Sequence, residues 1–202
     1  MKIDEIMRLA PVIPVLVIEQ DIDPVALAEA LVEGGLPVIE VTLRTPNALS
    51  AMRAMARVKG AIVGAGTVLN DAMLGIAIDA GARFVVSPGL TDPLARAAIA
   101  SGIPFLPGVA TAGDIMRGLD LGLERFKFFP AEAAGGLPAL KALAGPFGDI
   151  RFCPTGGIRS DSAASWLAHP AVLCVGGSWI LPAGERDMAA VIARARSAAA
   201  LR

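Results

Sequence analysis

An α/β architecture is predicted for this 202-residue chain, in the form of a compact (β/α)8 barrel in a single domain over residues 1–202. Three observations carry the prediction. Short β-rich runs recur at a spacing that fits one strand, one helix and two loops. Ala- and Leu-rich stretches of helical periodicity lie between them. Several of the runs are almost wholly apolar, as strands of a helix-covered parallel sheet are. Hydrophobic residues make up 54% of the chain, ample for a large core.

Residues 1–10 are expected to form an extra amphipathic helix that plugs the N-terminal face. The strand runs are 12–18, 38–43, 61–65, 83–87, 103–106, 125–129, 151–154 and 172–175, eight in all. Helical stretches between them include 24–33, 47–58, 71–80 and 92–100. Thr45-Pro46 and Thr91-Asp92-Pro93 set a capping side chain beside a proline suited to the first helical turn. Gly34-Gly35, Gly81, Gly102 and Gly122 mark helix ends. Eight alternations close directly into a barrel, although the usual barrel is nearer 250 residues, so the loops must be short. An open doubly wound sheet would carry Gly-x-Gly-x-x-Gly after its first strand, and none stands there.

Composition narrows the function. A net charge of −1 lacks the basic footprint of a nucleic-acid binder. No apolar run reaches the roughly 18 residues of a membrane helix. Acids at Asp4 and Glu5 stand where a secretory signal would be basic. A soluble, cytoplasmic protein is therefore expected, with neither nucleic acid nor membrane as partner. One histidine, His169, and two cysteines, Cys153 and Cys174, leave zinc sites and His-dependent triads without their parts. Both cysteines sit in apolar runs and are expected as buried free thiols.

In a parallel barrel, chemistry gathers at the carboxyl ends of the strands. In the second run, alternation puts Glu40, Thr42 and Arg44 on one face and Ile39, Val41 and Leu43 on the other. Buried charges need partners, so Glu40 and Arg44 read either as a structural ion pair or as an acid/base carboxylate with a guanidinium for an anionic substrate. In the sixth run, Lys127 sits inside an apolar strand among three phenylalanines. It reads either as a snorkelling side chain or as a nucleophile. An ordinary lysine, with a pKa of about 10.4, is unprotonated in only roughly one molecule in 2,500 at pH 7. Apolar burial disfavours the ammonium, and a Schiff-base amine needs that help.

Glycines mark the other strand ends: Gly64-Ala65-Gly66-Thr67, Ser87-Pro88-Gly89, Pro107-Gly108, Thr155-Gly156-Gly157 and Gly176-Gly177-Ser178. Each alone could be a tight turn. The last two, after the seventh and eighth runs, can cradle a phosphate with backbone N–H groups.

Taken in order, Glu40-Val41-Thr42-Leu43-Arg44-Thr45, Gly64-Ala65-Gly66-Thr67-Val68-Leu69-Asn70, Ser87-Pro88-Gly89-Leu90, Phe126-Lys127-Phe128-Phe129-Pro130-Ala131-Glu132, Arg151-Phe152-Cys153-Pro154-Thr155-Gly156-Gly157-Ile158 and Gly176-Gly177-Ser178-Trp179 resemble the signatures of one family. That family is the bacterial 2-keto-3-deoxy-6-phosphogluconate (KDPG) aldolases, also active on 4-hydroxy-2-oxoglutarate. The resemblance implies a class I, metal-free aldolase without a cofactor, on a (β/α)8 barrel and usually a homotrimer, acting on a phosphorylated keto acid. By position, Lys127 matches the Schiff-base lysine and Glu40 the general acid/base. Arg44 and Thr67 match the holders of the substrate carboxylate, Pro88 lines that pocket and Phe129 packs beside the lysine. Thr155 matches a residue reaching the substrate hydroxyls; Gly156, Gly157 and Ser178 match the phosphate site. The galactonate sister aldolase, phosphate-binding barrel isomerases and a non-catalytic trimeric scaffold are the alternatives.

Overall fold

The computed structural model describes residues 1–201. Nine short strands and nine helices follow one another along them, alternating except where β6 succeeds β5 directly. The order is α1 (Ile3–Arg8), β1 (Val12–Leu16), α2 (Pro24–Glu33), β2 (Val38–Thr42), α3 (Ala48–Met55), β3 (Ile62–Gly66), α4 (Asp71–Asp79), β4 (Val85–Val86) and α5 (Asp92–Ser101). It continues with β5 (Phe105–Leu106), β6 (Gly108–Val109), α6 (Ala112–Asp120), β7 (Arg125–Phe128), α7 (Gly136–Ala144), β8 (Arg151–Pro154), α8 (Ala163–Leu167), β9 (Val175–Gly177) and α9 (Met188–Ala199).

Every strand pairing is parallel. One sheet runs β5-β4-β3-β2-β1-β9 and a second runs β6-β7-β8. The parallel strands curl into at least a half-barrel, with helices covering the outer face. Only Pro107 separates β5 from β6; its ring removes an N–H from the ladder, yet its carbonyl still accepts the Lys127 N–H at 2.8 Å. Between β8 and β9 the link is reduced to two bridges, Phe152 to Val172 and Thr155 to Gly176.

Period-two alternation sorts the strand residues into two apolar clusters. Ile39, Val41, Val63, Ala65, Phe126, Phe128 and Phe152 point outward into the core shared with the helices. Ile13, Val38, Phe84, Val86, Leu106, Cys153 and Cys174 point inward and form a second cluster with Ile6 and Met7 of α1. The N-terminal helix therefore packs its apolar face against the inward residues near the strand starts, as a floor to this cluster. Its Asp4 also pairs with Arg125 at the start of β7.

The glycines expected at helix ends hold, whereas the expected capping side chains do not: Thr91 stands at the N-cap of α5 but its hydroxyl makes no cap hydrogen bond. Asp23 caps α2, its carboxylate accepting from Val25 and Ala26 N–H with Pro24 at the first position. Gly102 ends α5 in the left-handed region. Thr45 does not cap α3: Asn47 occupies that position and the Thr45 hydroxyl is buried without a partner. Several glycines expected just after the strand runs lie instead inside strands, namely Gly66 in β3, Gly108 in β6, and Gly176 and Gly177 in β9. Packing against inward side chains is the reason, as the site shows.

Candidate active site

Lys127 in β7 and Glu40 in β2, 87 residues apart, meet inside the curl of strands. Lys127 Nζ donates to Glu40 Oε1 at 3.0 Å and reaches Oε2 at 3.4 Å. Both residues are buried, with 5% of Lys127 and 3% of Glu40 exposed. The amine does not snorkel. Nor does Glu40 pair with Arg44, the structural alternative; the lysine takes that place. A buried pair is costly to desolvate and is weak support for stability, so its retention points to chemistry. The pair can exist as ammonium and carboxylate or, once a proton crosses the hydrogen bond, as amine and acid. Neither arrangement changes the net charge of the interior.

Glycines make the room. A Cβ built on Gly66 would lie 2.3 Å from Glu40 Oε1, and one on Gly176 would lie 2.2 Å from Thr155 Oγ1. One on Gly108, the register partner of Lys127, would strike the Pro88 carbonyl oxygen at 2.1 Å. Real Cβ contacts are never this close, so the Glu40 and Thr155 side chains and the Pro88 carbonyl occupy the inner volume that strand side chains would fill. Thr42, buried on the same face as Glu40, donates its hydroxyl to the Leu16 carbonyl at 2.8 Å.

Around the amine, the Phe129 ring lies with its centroid 5.4 Å from Lys127 Nζ. The same ring flanks Gly156, whose Cβ would sit 3.3 Å from it. Phe129 thus spans the space from the lysine to the first of the late glycine turns. Thr155 is buried, with its hydroxyl donating to the Cys153 carbonyl at 3.3 Å. Gly156 and Gly157 have consecutive positive φ values of 105° and 83°, a conformation that glycine alone adopts freely. The bridge from Thr155 to Gly176 brings this turn beside Gly177-Ser178. Ser178 is exposed on the wall of a cavity of about 480 Å³ that Val15, Val17 and Arg186 also line.

Arg44 lies just beyond β2 rather than in the interior, because the strand ends at Thr42. Its Nε donates to Thr67 Oγ1 at 3.0 Å, and among the described residues it forms no carboxylate pair. Thr67 has φ of 60°, the single non-glycine in the left-handed region among those residues. For a β-branched residue this is strained, of order 1–3 kcal/mol, and such strain gathers at functional sites. Sequence reasoning carried no sign of that strain, nor of Arg186 on the cavity wall. Cys153 and Cys174 are buried thiols that form no disulfide, as expected. Burial, with Lys141 nearby, holds the His169 imidazole below the usual histidine range.

A nucleophilic nitrogen, a carboxylate within one hydrogen bond of it, an unpaired guanidinium at the rim and a glycine-rich double turn suit carbonyl chemistry on a dianionic or trianionic acid. A family described as "KDPG and KHG aldolase" matches residues 3–194. A 2-dehydro-3-deoxy-phosphogluconate aldolase of Zymomonas mobilis subsp. mobilis is 60% identical over 200 residues, covering 99% of this chain and 96% of the relative. The crystal structure of 2-keto-3-deoxy-6-phospho-gluconate aldolase from Zymomonas mobilis superposes with a TM-score of 0.98 at 59% identity, over 100% of this chain and 98% of that one. A KDPG aldolase from Legionella pneumophila, solved with pyruvate captured as a covalent carbinolamine, matches at TM-score 0.95 and 43% identity over 99% of both chains.

Proposed function

The chain belongs to the KDPG and KHG aldolase family, and on that footing we propose that Lys127 and Glu40 perform its chemistry as one proton-sharing pair. The enzyme is a lyase of the Schiff-base type. It cleaves 2-dehydro-3-deoxy-6-phosphogluconate to pyruvate and glyceraldehyde 3-phosphate, and acts also on 4-hydroxy-2-oxoglutarate. The single observation that carries the assignment of roles is the 3.0 Å contact between the two buried side chains.

Passage of the ammonium proton to Glu40 leaves Nζ neutral, and its lone pair attacks the C2 ketone carbon. The carbinolamine hydroxyl departs as water with the proton that Glu40 holds, so an iminium cation replaces the ammonium beside the same carboxylate. The iminium draws the electrons of the C3–C4 bond as that bond breaks, while Glu40 takes the C4 hydroxyl proton. Glyceraldehyde 3-phosphate leaves, Glu40 returns the proton to the enamine carbon, and hydrolysis frees pyruvate and the lysine. At every stage one positive charge faces one carboxylate or both are neutral, which is why the pair can work in a buried place.

Arg44, oriented by Thr67, binds the substrate carboxylate, with Pro88 lining that end and Phe129 limiting the motion of the amine. Thr155 serves the substrate hydroxyls; Gly156, Gly157 and Ser178 receive the phosphate with backbone and hydroxyl donors. The remote phosphate supplies binding and position rather than chemistry.

The single domain is a closed eight-stranded barrel with α1 as its extra helix. Joining β5 and β6 across Pro107 supports that count, as do the two bridges between β8 and β9. The molecule works as a homotrimer in the cytoplasm. Exposed Ile76, Ile99 and Met116 on successive helices support an interface, and two cysteines outside any disulfide suit a reducing compartment. Incubation with pyruvate and borohydride tests the chemistry. The adduct is expected on the peptide that contains Lys127 and is lost in Lys127→Ala; an adduct on another lysine overturns the assignment.

A further inference from the structure

The loop between β9 and α9 folds back to the segment that follows β1, and one arginine makes the connection. Arg186 Nη2 donates to Glu19 Oε2 at 2.5 Å and to Asp21 Oδ1 at 2.6 Å, and its Nε donates to Asp21 Oδ2 at 3.0 Å. Its Nη1 donates to the Glu185 carbonyl at 2.7 Å, so four of its five N–H groups are engaged and one is free. Glu19 Oε1 also accepts the Gly184 N–H at 3.4 Å. Two carboxylates from one segment thus converge on one guanidinium from another, and the trio carries a net charge of −1.

Stability does not account for this convergence. The side chains of Glu19 and Asp21 are 40% and 71% exposed, and pairs so wet contribute little. Position does account for it. Arg186 lines the same cavity as Ser178, Val15 and Val17, and it is the one cation on that wall. Val15 is paired in register with Glu40, so one wall of this cavity stands at the level of the catalytic pair, and Ser178, two residues after Gly176, stands on the same wall. A dianion seated at Ser178 would meet no other side-chain cation there, and it would meet the charge of Glu19 at the rim.

We propose that Arg186 is the specificity-determining cation for the substrate's phosphate, and that Glu19 and Asp21 hold it at the rim until the phosphate competes for its N–H groups. This rests on the aldolase reading with the phosphate at the Ser178 end. The free N–H makes the first contact, and exchange of one carboxylate for the dianion completes it. A substrate that ends in a carboxylate close to the reacting carbons, such as 4-hydroxy-2-oxoglutarate, does not extend to the rim. Arg186 therefore separates the two substrates, and the two carboxylates oppose the phosphorylated one.

The test is the ratio of kcat/KM for the phosphorylated substrate to that for 4-hydroxy-2-oxoglutarate, measured on the intact enzyme. Arg186→Met should lower the ratio by roughly 10- to 100-fold, the size of a charge-assisted contact, mostly through KM for the phosphorylated substrate. Arg186→Lys should restore part of it as a point charge. Asp21→Asn should move the ratio the other way, upward by about threefold or more, because a competitor for the guanidinium is gone. Equal losses on both substrates in Arg186→Met, or a fall of the ratio in Asp21→Asn, would reduce the trio to a strap and overturn the proposal. Failure of the unsubstituted enzyme to trap pyruvate on borohydride addition would instead sink the aldolase reading; trapping with an unmoved ratio sinks only the role of Arg186.

Discussion

Two layers of the strand interior obey the same alternation and are built from opposite materials. At the floor, Ile13, Val38, Phe84, Val86 and Leu106 close against Ile6 and Met7 of α1 and leave no polar side chain to satisfy. One layer above, Glu40, Lys127, Thr42 and Thr155 face inward, with Gly66, Gly108 and Gly176 between them. The floor fills its volume with hydrocarbon. The upper layer gives volume away at the glycines so that polar groups and a substrate can occupy it. A fold that confines its packing to one level can tolerate desolvated charge at the next, because cohesion there is not asked of the charged residues.

The sharpest way to break that division is at the floor. Phe84 is fully buried, and its ring lies where a Cβ on Gly64 would come within 2.5 Å. Phe84→Ala should cost about 3–5 kcal/mol of stability through lost transfer and the cavity left behind. Turnover at low temperature should persist, because the ring belongs to the apolar floor and carries no group that the chemistry uses. Denaturant unfolding followed by assay at 10 °C would check both halves; a stability loss below 1 kcal/mol would contradict the packing role.

The complementary change belongs to the upper layer. Replacing both charges, as in Glu40→Leu with Lys127→Met, should abolish turnover yet leave the protein equally stable or more stable by about 1–4 kcal/mol, as with other buried pairs exchanged for hydrocarbon. Glu40→Leu alone leaves Nζ without its partner and should be the less stable of the two. If the double variant unfolds more readily than the single one, the pair is structural, and the separation of packing from chemistry fails.

How much of this could be read in advance follows from the range of each signal. Strand positions came through because apolar alternation is local, and β8 falls on residues 151–154 as expected. The last strand is displaced: residues 172–175 are apolar, but the ladder to β1 forms at Val175–Gly177, because glycine is what fits opposite Thr155. The same cause hid the other strand glycines, which resemble turns unless the side chain that needs their space is known. Lys127 and Glu40 each stand out in their own strands, whereas their pairing depends on curl and register over 87 residues. Locally, Lys127 reads as surrounded by phenylalanines; Phe126 and Phe128 in fact face outward and a carboxylate faces the amine. Arg186 gave no signal, since a charged loop residue looks like any solvated one.

The smallest effect is expected where the floor meets solvent. Asp4, in the first turn of α1, accepts from Arg8 at 2.7 Å and also pairs with Arg125 at the start of β7. The hydrogen bond from Arg8, reinforced by Arg125, holds its carboxyl below the usual aspartate range against an opposing effect of burial. A carboxyl depressed in the folded state binds its proton more readily once unfolded. Its contribution is therefore present above the unfolded value, near 4, and fades as pH falls through the lower folded value. Asp4→Asn should cost at most about 1 kcal/mol at pH 7, as half-exposed pairs do. The gap between the two proteins should close toward pH 2, because the unsubstituted chain loses what the variant never had. Urea titrations at pH 7 and at pH 2.5 measure it. A gap that stays constant between them would assign the loss to shape or helix capping, and α1 would then be held by its apolar face alone, like the rest of the floor.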